Sequence, residues 1–278
     1  MKTRTLTDPV LDARERAVGI GAFNVVQLEH AEAIAQGAER AGLPVILQIS
    51  QNCVDYHGAL APIARATLSI ARAMSVPALV HLDHADDVEL VAEAVELGLD
   101  SVMFDGSARP YEDNVALTRR MAELCRANDV RIEAELGEVG GKDGVHAPGV
   151  RTDPADARRF VEQTGVDWLA VAVGTSHAMT RREAAVDTDL IARIAAAASV
   201  PLVLHGSSGL SDDMLRAAVT AGMSKINIST HLNALFTQAL RTALAADPAR
   251  VDPRRYIAPA REAVAVEVER LLRLLNTD

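Results

Sequence analysis

The sequence predicts an α/β fold, a closed (β/α)8 or TIM barrel with a C-terminal helical extension. Eight short apolar runs alternate with Ala-rich amphipathic segments, and repeated strand-then-helix units favour a parallel sheet that closes into a barrel. The length of 278 residues is close to the roughly 250 residues that such a barrel needs. We therefore expect residues 1–278 to form a single barrel domain, with an open doubly wound sheet as the alternative.

The eight predicted strands are nearly continuous in apolar character, as strands buried on both faces of a parallel sheet require. They are Ile20–Val25, Val45–Ile49, Ala78–Leu82, Ser101–Phe104, Arg131–Leu136, Trp168–Val173, Leu202–Leu204 and Lys225–Ile228. Apolar residues at helical spacing predict helices between them, among them Glu29–Ala41, Pro62–Met74, Val88–Leu97 and Met214–Ala221. A last helical stretch, Ala258–Leu275, is interpreted as a packing extension or a dimer element.

Composition and charge exclude several classes of protein. The formal charge of -10 argues against nucleic acids and anionic membranes as partners, because both attract clustered Lys and Arg. Cys53 and Cys125 stand far apart in the sequence, which predicts two reduced thiols rather than a metal pair or a disulfide framework. The N-terminal residues lack the apolar run of a signal peptide or membrane span. These features predict a cytoplasmic location.

The unusual polar residues of the chain stand at the carboxyl ends of the predicted strands, where barrel enzymes carry their chemistry. They are Asn24, Gln48, Ser50, Asp83, His84, Glu135, His177, His205 and Asn227. Because seven different strands supply them, we interpret them as one convergent site.

Three of these residues form a candidate metal site. His84, His177 and His205 follow strands three, six and seven, so their side chains converge if the barrel is closed. Three imidazoles with an open fourth position are typical of catalytic zinc, and nitrogen ligands favour zinc or cobalt over magnesium. The histidines interpreted as non-ligands are His30, His57, His81 and His146.

Two carboxylates accompany the histidines. Asp83 directly precedes His84, so in extended backbone its side chain points the other way unless the strand end bends. A carboxylate close to the metal but not bound to it is suited to exchange a proton with a substrate hydroxyl, and an N-cap or a hydrogen-bond acceptor is the alternative role. Glu135 is interpreted as an alternate metal ligand or as a carboxylate that holds a ligand in place.

Two loops resemble phosphate sites. Strand seven runs into LHGSSGLSDD and strand eight into KINISTHL, which places Gly206, Ser208, Gly209, Ser229 and Thr230 at adjacent corners of the barrel. Small residues allow backbone N–H groups to approach an oxyanion, and a following helix N-terminus favours negative charge. Ordinary βα turns use the same residues, so these loops alone are weak evidence.

Seven segments in order resemble the class II, metal-dependent fructose/tagatose-bisphosphate aldolase family over nearly the whole chain. They are GAFNV at Gly21, ILQIS at Ile46, HLDHADD at His81, IEAELGEVGG at Ile132, AVGTSH at Ala172, LVLHGSSGL at Leu202 and KINIST at Lys225. The tail DPRRYIAPAREA, from Asp252, is also similar to that family. Such enzymes cleave a ketose phosphate into dihydroxyacetone phosphate and an aldehyde, and relatives are commonly homodimers or larger homo-oligomers.

The resemblance implies a role for each matching residue. His84, His177 and His205 are expected to hold the zinc ion, and Asp83 to exchange the proton of the aldehyde-derived hydroxyl. The residues expected to position the phosphorylated half are Asn24, Ser50, Gly206, Ser208, Asn227 and Thr230, with Arg181 where the family usually has a Lys. The resemblance also implies a monovalent cation, Na+ or K+, bound through backbone oxygens near the phosphate.

Several positions depart from the family pattern. Asp143 stands where the family's Gly-rich loop has a proton-shuttling Glu, and Ala178 replaces a Gly after the sixth strand, which keeps the backbone N–H but narrows the pocket. The family's DTDxR segment reads Ser229 to Asn233 here. Asn233 replaces the Arg that would pair with a distal phosphate, a loss of about 1.5–3 kcal/mol. We therefore expect fructose 1,6-bisphosphate to be a poor substrate.

The residues leave two other functions open. One is a non-catalytic paralogue that binds a sugar phosphate, which the substitutions at Asp143, Ala178 and Ser229 would fit. The other is an isomerase or epimerase of ketose phosphates on the same barrel. A Schiff-base aldolase is disfavoured, because the strand ends offer only Lys225 and such an enzyme needs a desolvated Lys at the reacting carbon.

Overall fold

Eight parallel strands in chain order close into a barrel, because β1 pairs with β2 on one side and with β8 on the other. The computed structural model describes residues 8–136, 151–175 and 185–276. The predicted barrel is confirmed, and the open sheet was the wrong alternative: Ile20 pairs with Lys225 and Ala22 with Asn227 across the closing seam.

The strands agree with the predicted ones to within three residues at each end. They are β1 Ile20–Asn24, β2 Val45–Ser50, β3 Ala78–Ala85, β4 Ser101–Phe104, β5 Arg131–Leu136, β6 Trp168–Val171, β7 Leu202–Leu204 and β8 Met223–Ile228. The largest extension is at the end of β3, which runs through Asp83 and His84.

Helices follow the strands and form an outer layer. Those before β5 are α1 Pro9–Glu15, α2 Leu28–Ala41, α3 Gln51–His57, α4 Ala61–Ala73, α5 Val88–Leu97 and α6 Tyr111–Ala127. Those after β5 are α7 Pro154–Thr164, α8 Thr188–Ala197, α9 Asp212–Ala221, α10 Thr230–Ala246 and α11 Pro253–Leu275, with a 3₁₀ turn at Ser207–Gly209. None of the described helices is both long and apolar enough to cross a bilayer.

The inside of the barrel changes from apolar to polar along the strands. The end where the strands begin is filled by a cluster that includes Ile46, Leu79, Met103 and Trp168 and is covered by Val10 of α1. Side chains on one face of a strand recur every second residue. Towards the carboxyl ends of the strands, the faces that point into the barrel therefore carry polar residues. These are Asn24, Gln48, His81, Asp83, Glu133, Lys225 and Asn227, all buried or nearly so. The alternation therefore places the polar site at the carboxyl ends.

The C-terminal helix belongs to the ring of helices around the barrel. α11 begins at Pro253, five residues before the predicted start, and packs most extensively on α2 and α10. Its apolar face, which includes Val264, Val268 and Leu272, is fully buried. Of the two interpretations of this segment, packing is what the structure shows, because α11 closes the gap between α9 and α2.

Candidate active site

The end of β3 bends at His84, whose backbone is left-handed with φ 51°. The pairing of β3 with β4 shifts register between Leu82 and Ala85, as it does at a β-bulge. A non-glycine residue in this conformation is strained, and such strain occurs mainly at functional sites. Because of this bend, the side chains of the consecutive residues Asp83 and His84 can both face the barrel axis.

His84 and His205 point one ring nitrogen each at the same place. The Nε2 atom of His84 lies 2.8 Å from Nδ1 of His205. The other nitrogen of each ring contacts a carboxylate, with His84 Nδ1 at 2.7 Å from Asp105 Oδ2 and His205 Nε2 at 2.8 Å from Glu133 Oε1. Each carboxylate accepts an N–H, which leaves the lone pairs of the two facing nitrogens directed at each other.

This arrangement fits a metal ion. Imidazoles that bind metals usually donate their second N–H to a carboxylate, as His84 and His205 do. Two nitrogens in a tetrahedral zinc site are about 3.3 Å apart, given Zn–N bonds of about 2.0–2.1 Å, so a small displacement of the rings would accommodate the ion. Two sets of side chains bring ligand atoms within 4.8 Å of one another: Asp83, His84 and His205, and also His84, Asp105 and Glu135.

Asp83 is almost completely buried between two amides. Asn24 Nδ2 donates to its Oδ2 at 3.3 Å and Asn227 Nδ2 to its Oδ1 at 3.4 Å. Gln48 Nε2 in turn donates to Asn24 Oδ1 at 2.7 Å, which orients that amide. Burial acts to raise the pKa of Asp83, but His84 and Lys225 outweigh it, and the net pKa lies below its ordinary value. The carboxyl is therefore held as an ionised acceptor.

A buried ion pair lies beneath the histidines. Lys225 Nζ donates to Glu133 Oε2 at 2.8 Å, and both side chains are inaccessible to solvent. Burial acts to raise the pKa of Glu133, but Lys225 and the hydrogen bond from His205 outweigh it, so the net pKa lies below its ordinary value. Burial, aided by the Lys225 charge, lowers the pKa of His81 to about 3. The Lys225 amine therefore pairs with Glu133 and has a structural role, not that of a nucleophile.

The predicted phosphate loops lie side by side. Gly206 has a left-handed backbone, φ 70°, which starts the 3₁₀ turn. Ser208 Oγ in this turn accepts the N–H of Ser229 at 3.3 Å and of His231 at 3.2 Å. Thr230 is the first residue of α10. The structure therefore brings these predicted residues together at one helix N-terminus.

The remaining predicted residues divide into those that the structure describes and those outside it. Ser50 ends β2 beside Asp83 and its hydroxyl accepts the Cys53 N–H at 3.2 Å, which caps α3. Glu135 Oε2 lies 3.7 Å from His205 Nδ1. Four predicted residues lie outside the described residues: Asp143, His177, Ala178 and Arg181.

A family model described as fructose-bisphosphate aldolase class-II matches residues 4–278. The chain belongs to this family. It is 36% identical over 292 residues to a fructose-bisphosphate aldolase of Thermus caldophilus, with 95% of each chain covered. It is 33% identical over 277 residues to a fructose-bisphosphate aldolase of Staphylococcus aureus, strain Mu50, with 98% of this chain and 97% of that protein covered.

Solved structures show the same fold. The YdjI aldolase of Escherichia coli K12 has a TM-score of 0.85 at 31% identity, covering 97% of this chain and 96% of that chain. A structure from Coccidioides immitis has a TM-score of 0.88 at 29% identity, covering 99% and 97%. The predicted family is confirmed. Class II aldolases use a divalent metal ion, which the converging histidines suit.

Two residues that contact the class II histidines were missed in the sequence analysis. Asp105 directly follows β4, one residue beyond the end of the predicted strand at Phe104. Glu133 precedes Glu135 by two residues, so the period of two along a strand puts both on one face. The alternation therefore carried a signal for Glu133. No pattern in the sequence pairs Asp105 with His84.

Proposed function

We propose that this chain is a metal-dependent aldolase that reversibly cleaves a ketose phosphate into dihydroxyacetone phosphate and an aldehyde. The observation that carries the proposal is the convergence of His84 Nε2 and His205 Nδ1 at 2.8 Å beside the buried Asp83. His177 completes the ligand set by resemblance to the family. Zinc is the metal that three imidazoles favour, with cobalt or another divalent ion as the substitute.

The residues divide the chemistry among them. A zinc ion at this site supplies a Lewis acid that spreads the negative charge left by C–C cleavage. Asp83 takes the proton from the hydroxyl on the carbon that becomes the aldehyde, and returns it in the aldol direction. Asn24 and Asn227 keep the Asp83 carboxylate in position and contribute to the donor pocket. By resemblance to the family, Asp143 moves the proton at the donor carbon.

The donor phosphate is held where the two βα loops meet. Gly206, Ser208, Ser229 and Thr230 would surround the phosphate at the start of α10, where the helix dipole favours negative charge. By resemblance to the family, Arg181 adds a cation, and Ser50 and Ala178 also take part in binding the donor. A monovalent cation, Na+ or K+, bound by backbone oxygens nearby would further offset the phosphate charge.

The aldehyde half distinguishes this chain from a fructose-bisphosphate aldolase. Asn233, in the first turn of α10, is exposed, and it stands where a distal phosphate would need an Arg. Fructose 1,6-bisphosphate is therefore not the best substrate, and the aldehyde lacks a terminal phosphate. The enzyme acts in the cytoplasm as a homodimer or larger homo-oligomer, with a small-molecule sugar phosphate as its ligand.

Retro-aldol assays test the proposal. Ketose 1-phosphates and 1,6-bisphosphates are compared at equal concentration, each with and without a chelator. We expect cleavage of a ketose 1-phosphate that stops with chelator and returns when zinc is added. Cleavage that resists the chelator contradicts the metal mechanism, and a higher kcat/KM for fructose 1,6-bisphosphate contradicts the substrate assignment.

Two further measurements separate the alternative functions. Exchange of the donor C–H proton in dihydroxyacetone phosphate excludes a paralogue that only binds the sugar phosphate. Product analysis excludes an isomerase or epimerase, because neither yields a three-carbon fragment.

A further inference from the structure

A hydrogen-bonded chain of side chains runs outward from the two predicted phosphate loops. It starts at Ser208, whose hydroxyl joins the 3₁₀ turn after β7 to the start of α10 through the N–H groups of Ser229 and His231. The side chain of His231 points away from this junction, and its Nε2 lies 2.7 Å from Glu267 Oε1 on α11. The phosphate loops and the C-terminal helix are therefore connected through one residue.

Glu267 is the centre of the chain. It also accepts from Arg270, with Nε at 2.8 Å and Nη2 at 2.7 Å. Arg270 then donates from Nη1 to Asp212 Oδ2 at 2.6 Å, and Asp212 is the first residue of α9. His231, Glu267, Arg270 and Asp212 thus tie the N-termini of α9 and α10 to one turn of α11.

This network differs from an ordinary surface ion pair. The Glu267 side chain is only 15% exposed, and two-pronged Arg–carboxylate pairs fix geometry as well as charge. Burial acts to raise the pKa of Glu267, but Arg270 and His231 lower it to about 2. The carboxylate therefore remains charged and holds both partners over the working range of an enzyme.

The helix that carries the network is well anchored. Val264, Val268 and Leu272 are completely or almost completely buried, and α11 packs extensively on α2. A charged anchor on a rigid helix can fix the two loops to within a fraction of an ångström, which anion binding by backbone N–H groups requires.

We propose that His231 and Glu267 are positioning residues for the donor phosphate: they hold the 3₁₀ turn and the start of α10 at the separation at which both contact the anion. The inference rests on the proposed aldolase function, because it takes the phosphate site from there. Neither residue touches substrate or metal, and the effect passes through the backbone.

The test uses the full-length zinc enzyme and paired variants. His231→Leu and Glu267→Gln break the link, whereas His231→Gln keeps an Nε2 donor that can reach Glu267. Glu269→Gln is the matched control, since Glu269 lies two residues after Glu267 on α11 and forms an ion pair with Arg273 at 3.0 Å. Measured quantities are the KM for dihydroxyacetone phosphate in the aldol direction, kcat, competitive inhibition by inorganic phosphate, zinc content and melting temperature.

We expect His231→Leu and Glu267→Gln to raise the donor KM and the phosphate inhibition constant by about tenfold, equivalent to about 1.4 kcal/mol. The value of kcat and the zinc content should stay within about twofold of wild type. His231→Gln should restore donor affinity, and Glu269→Gln should resemble wild type throughout.

A purely structural role would give a different result. If His231→Leu melts at a lower temperature but binds donor and phosphate like wild type, the inference is overturned. It is also overturned if kcat and zinc content fall together with the donor affinity, because the effect then is not specific to the phosphate. If the wild-type enzyme binds neither dihydroxyacetone phosphate nor inorganic phosphate, the proposed function is overturned as well. That result is recognisable without any variant.

Discussion

Asp83 illustrates how the site separates proton transfer from metal binding. Its carboxylate is held by Asn24 and Asn227, and its pKa is kept low by His84 and Lys225 against the effect of burial. A group fixed in this way can accept a proton without reorganisation, which is what a general base needs.

Asp83→Asn should lower kcat for cleavage by about 10²–10⁴-fold, the usual contribution of a general base. Zinc content should be retained, since Asn keeps the shape of the side chain. Exchange of the donor C–H proton should persist because Asp143 is proposed to carry it, so the measurement is a comparison of cleavage and exchange rates. Equal loss of both rates would contradict the assigned role.

Asp105 provides a test of metal binding that does not depend on turnover. It accepts from His84 Nδ1 at 2.7 Å, and such carboxylates typically contribute 10–100-fold to metal affinity. Asp105→Asn should therefore weaken zinc binding by about that factor in a competition assay with a chromogenic chelator. Asp153→Asn is the control, since it replaces an N-cap carboxylate of α7 by another N-cap residue; an unchanged affinity in Asp105→Asn would contradict the role.

At the scale of residues, the sequence predicted positions better than contacts. Asn24, Asp83, His84, His205 and Asn227 could be placed in one site because strand ends converge in any closed barrel. The partners Asp105 and Glu133 were missed, because hydrogen bonds between strands depend on register and side-chain direction. The left-handed backbone of His84 has no sequence signature, since it arises from the irregular pairing of β3 and β4.

At the scale of elements, the close packing of α2 on α11 depends on Gly37. A Cβ atom at this position would lie 2.6 Å from the Ala265 carbonyl oxygen and 2.7 Å from Val268 Cβ. Both distances are shorter than atoms tolerate, and the nearer contact is with backbone, which cannot rotate away. The small residue therefore sets the distance between the two helices.

Gly37→Ala should destabilise the protein by about 1–3 kcal/mol, the typical cost of overpacking, although Ala is the better helix former by about 1 kcal/mol. The free energy of unfolding is measured by urea titration. Gln36→Ala, at the exposed neighbouring position on α2, is the control and should have little effect. A Gly37→Ala protein as stable as wild type would show that α11 moves away without loss.

The predicted ends of α2, α4, α5 and α9 agree with the structure to within two residues, whereas the start of α11 was misplaced for a physical reason. α11 was expected from Ala258, yet it begins at Pro253 and continues through Pro259. Proline is favoured in the first turn, where its missing N–H is not needed, and Pro259 therefore suited a start at Ala258. In the structure Pro253 takes the first position and Pro259 lies inside the helix. No bounds were predicted for α10, although Leu232, Leu235 and Phe236 stand at helical spacing.

At the scale of the molecule, the buried His81 links stability to pH. Its pKa falls from 6.5 to about 3 because of burial and the Lys225 charge. Below about pH 6.5 His81 takes up a proton in the unfolded chain but not in the folded protein. The contribution of His81 to the free energy of unfolding is therefore fully present above about pH 6.5 and declines as the pH falls towards 3. Between these values the contribution of one such group is up to about 1.4 kcal/mol per pH unit.

His81→Asn should reduce that slope, because Asn does not titrate and can still bond to Ser101, whose Oγ lies 2.9 Å from His81 Nδ1. Unfolding free energies of both proteins are measured from pH 7 to pH 4 in the presence of chelator. The absolute stability of the variant is expected to fall, and only the slope is compared. Parallel curves for the two proteins would contradict the prediction.

The overall architecture was the most predictable part of the molecule. Eight apolar runs separated by amphipathic segments allow few topologies, and a length near that of one barrel leaves the closed form as the simplest. The polar interior was less predictable. Lys225 and Glu133 are buried charges inside apolar strands, and they meet only because strands β5, β6, β7 and β8 follow one another around the closed barrel.

Helix α11, which begins at Pro253, is synthesised long after its partner α2, which ends at Ala41. Until residues 253–275 leave the ribosome, the flank of α2 and the start of β1 lack their cover, and contacts so distant in sequence form late. A nascent chain therefore exposes this apolar groove until α11 is made, and apolar surface exposed in this way is prone to aggregation.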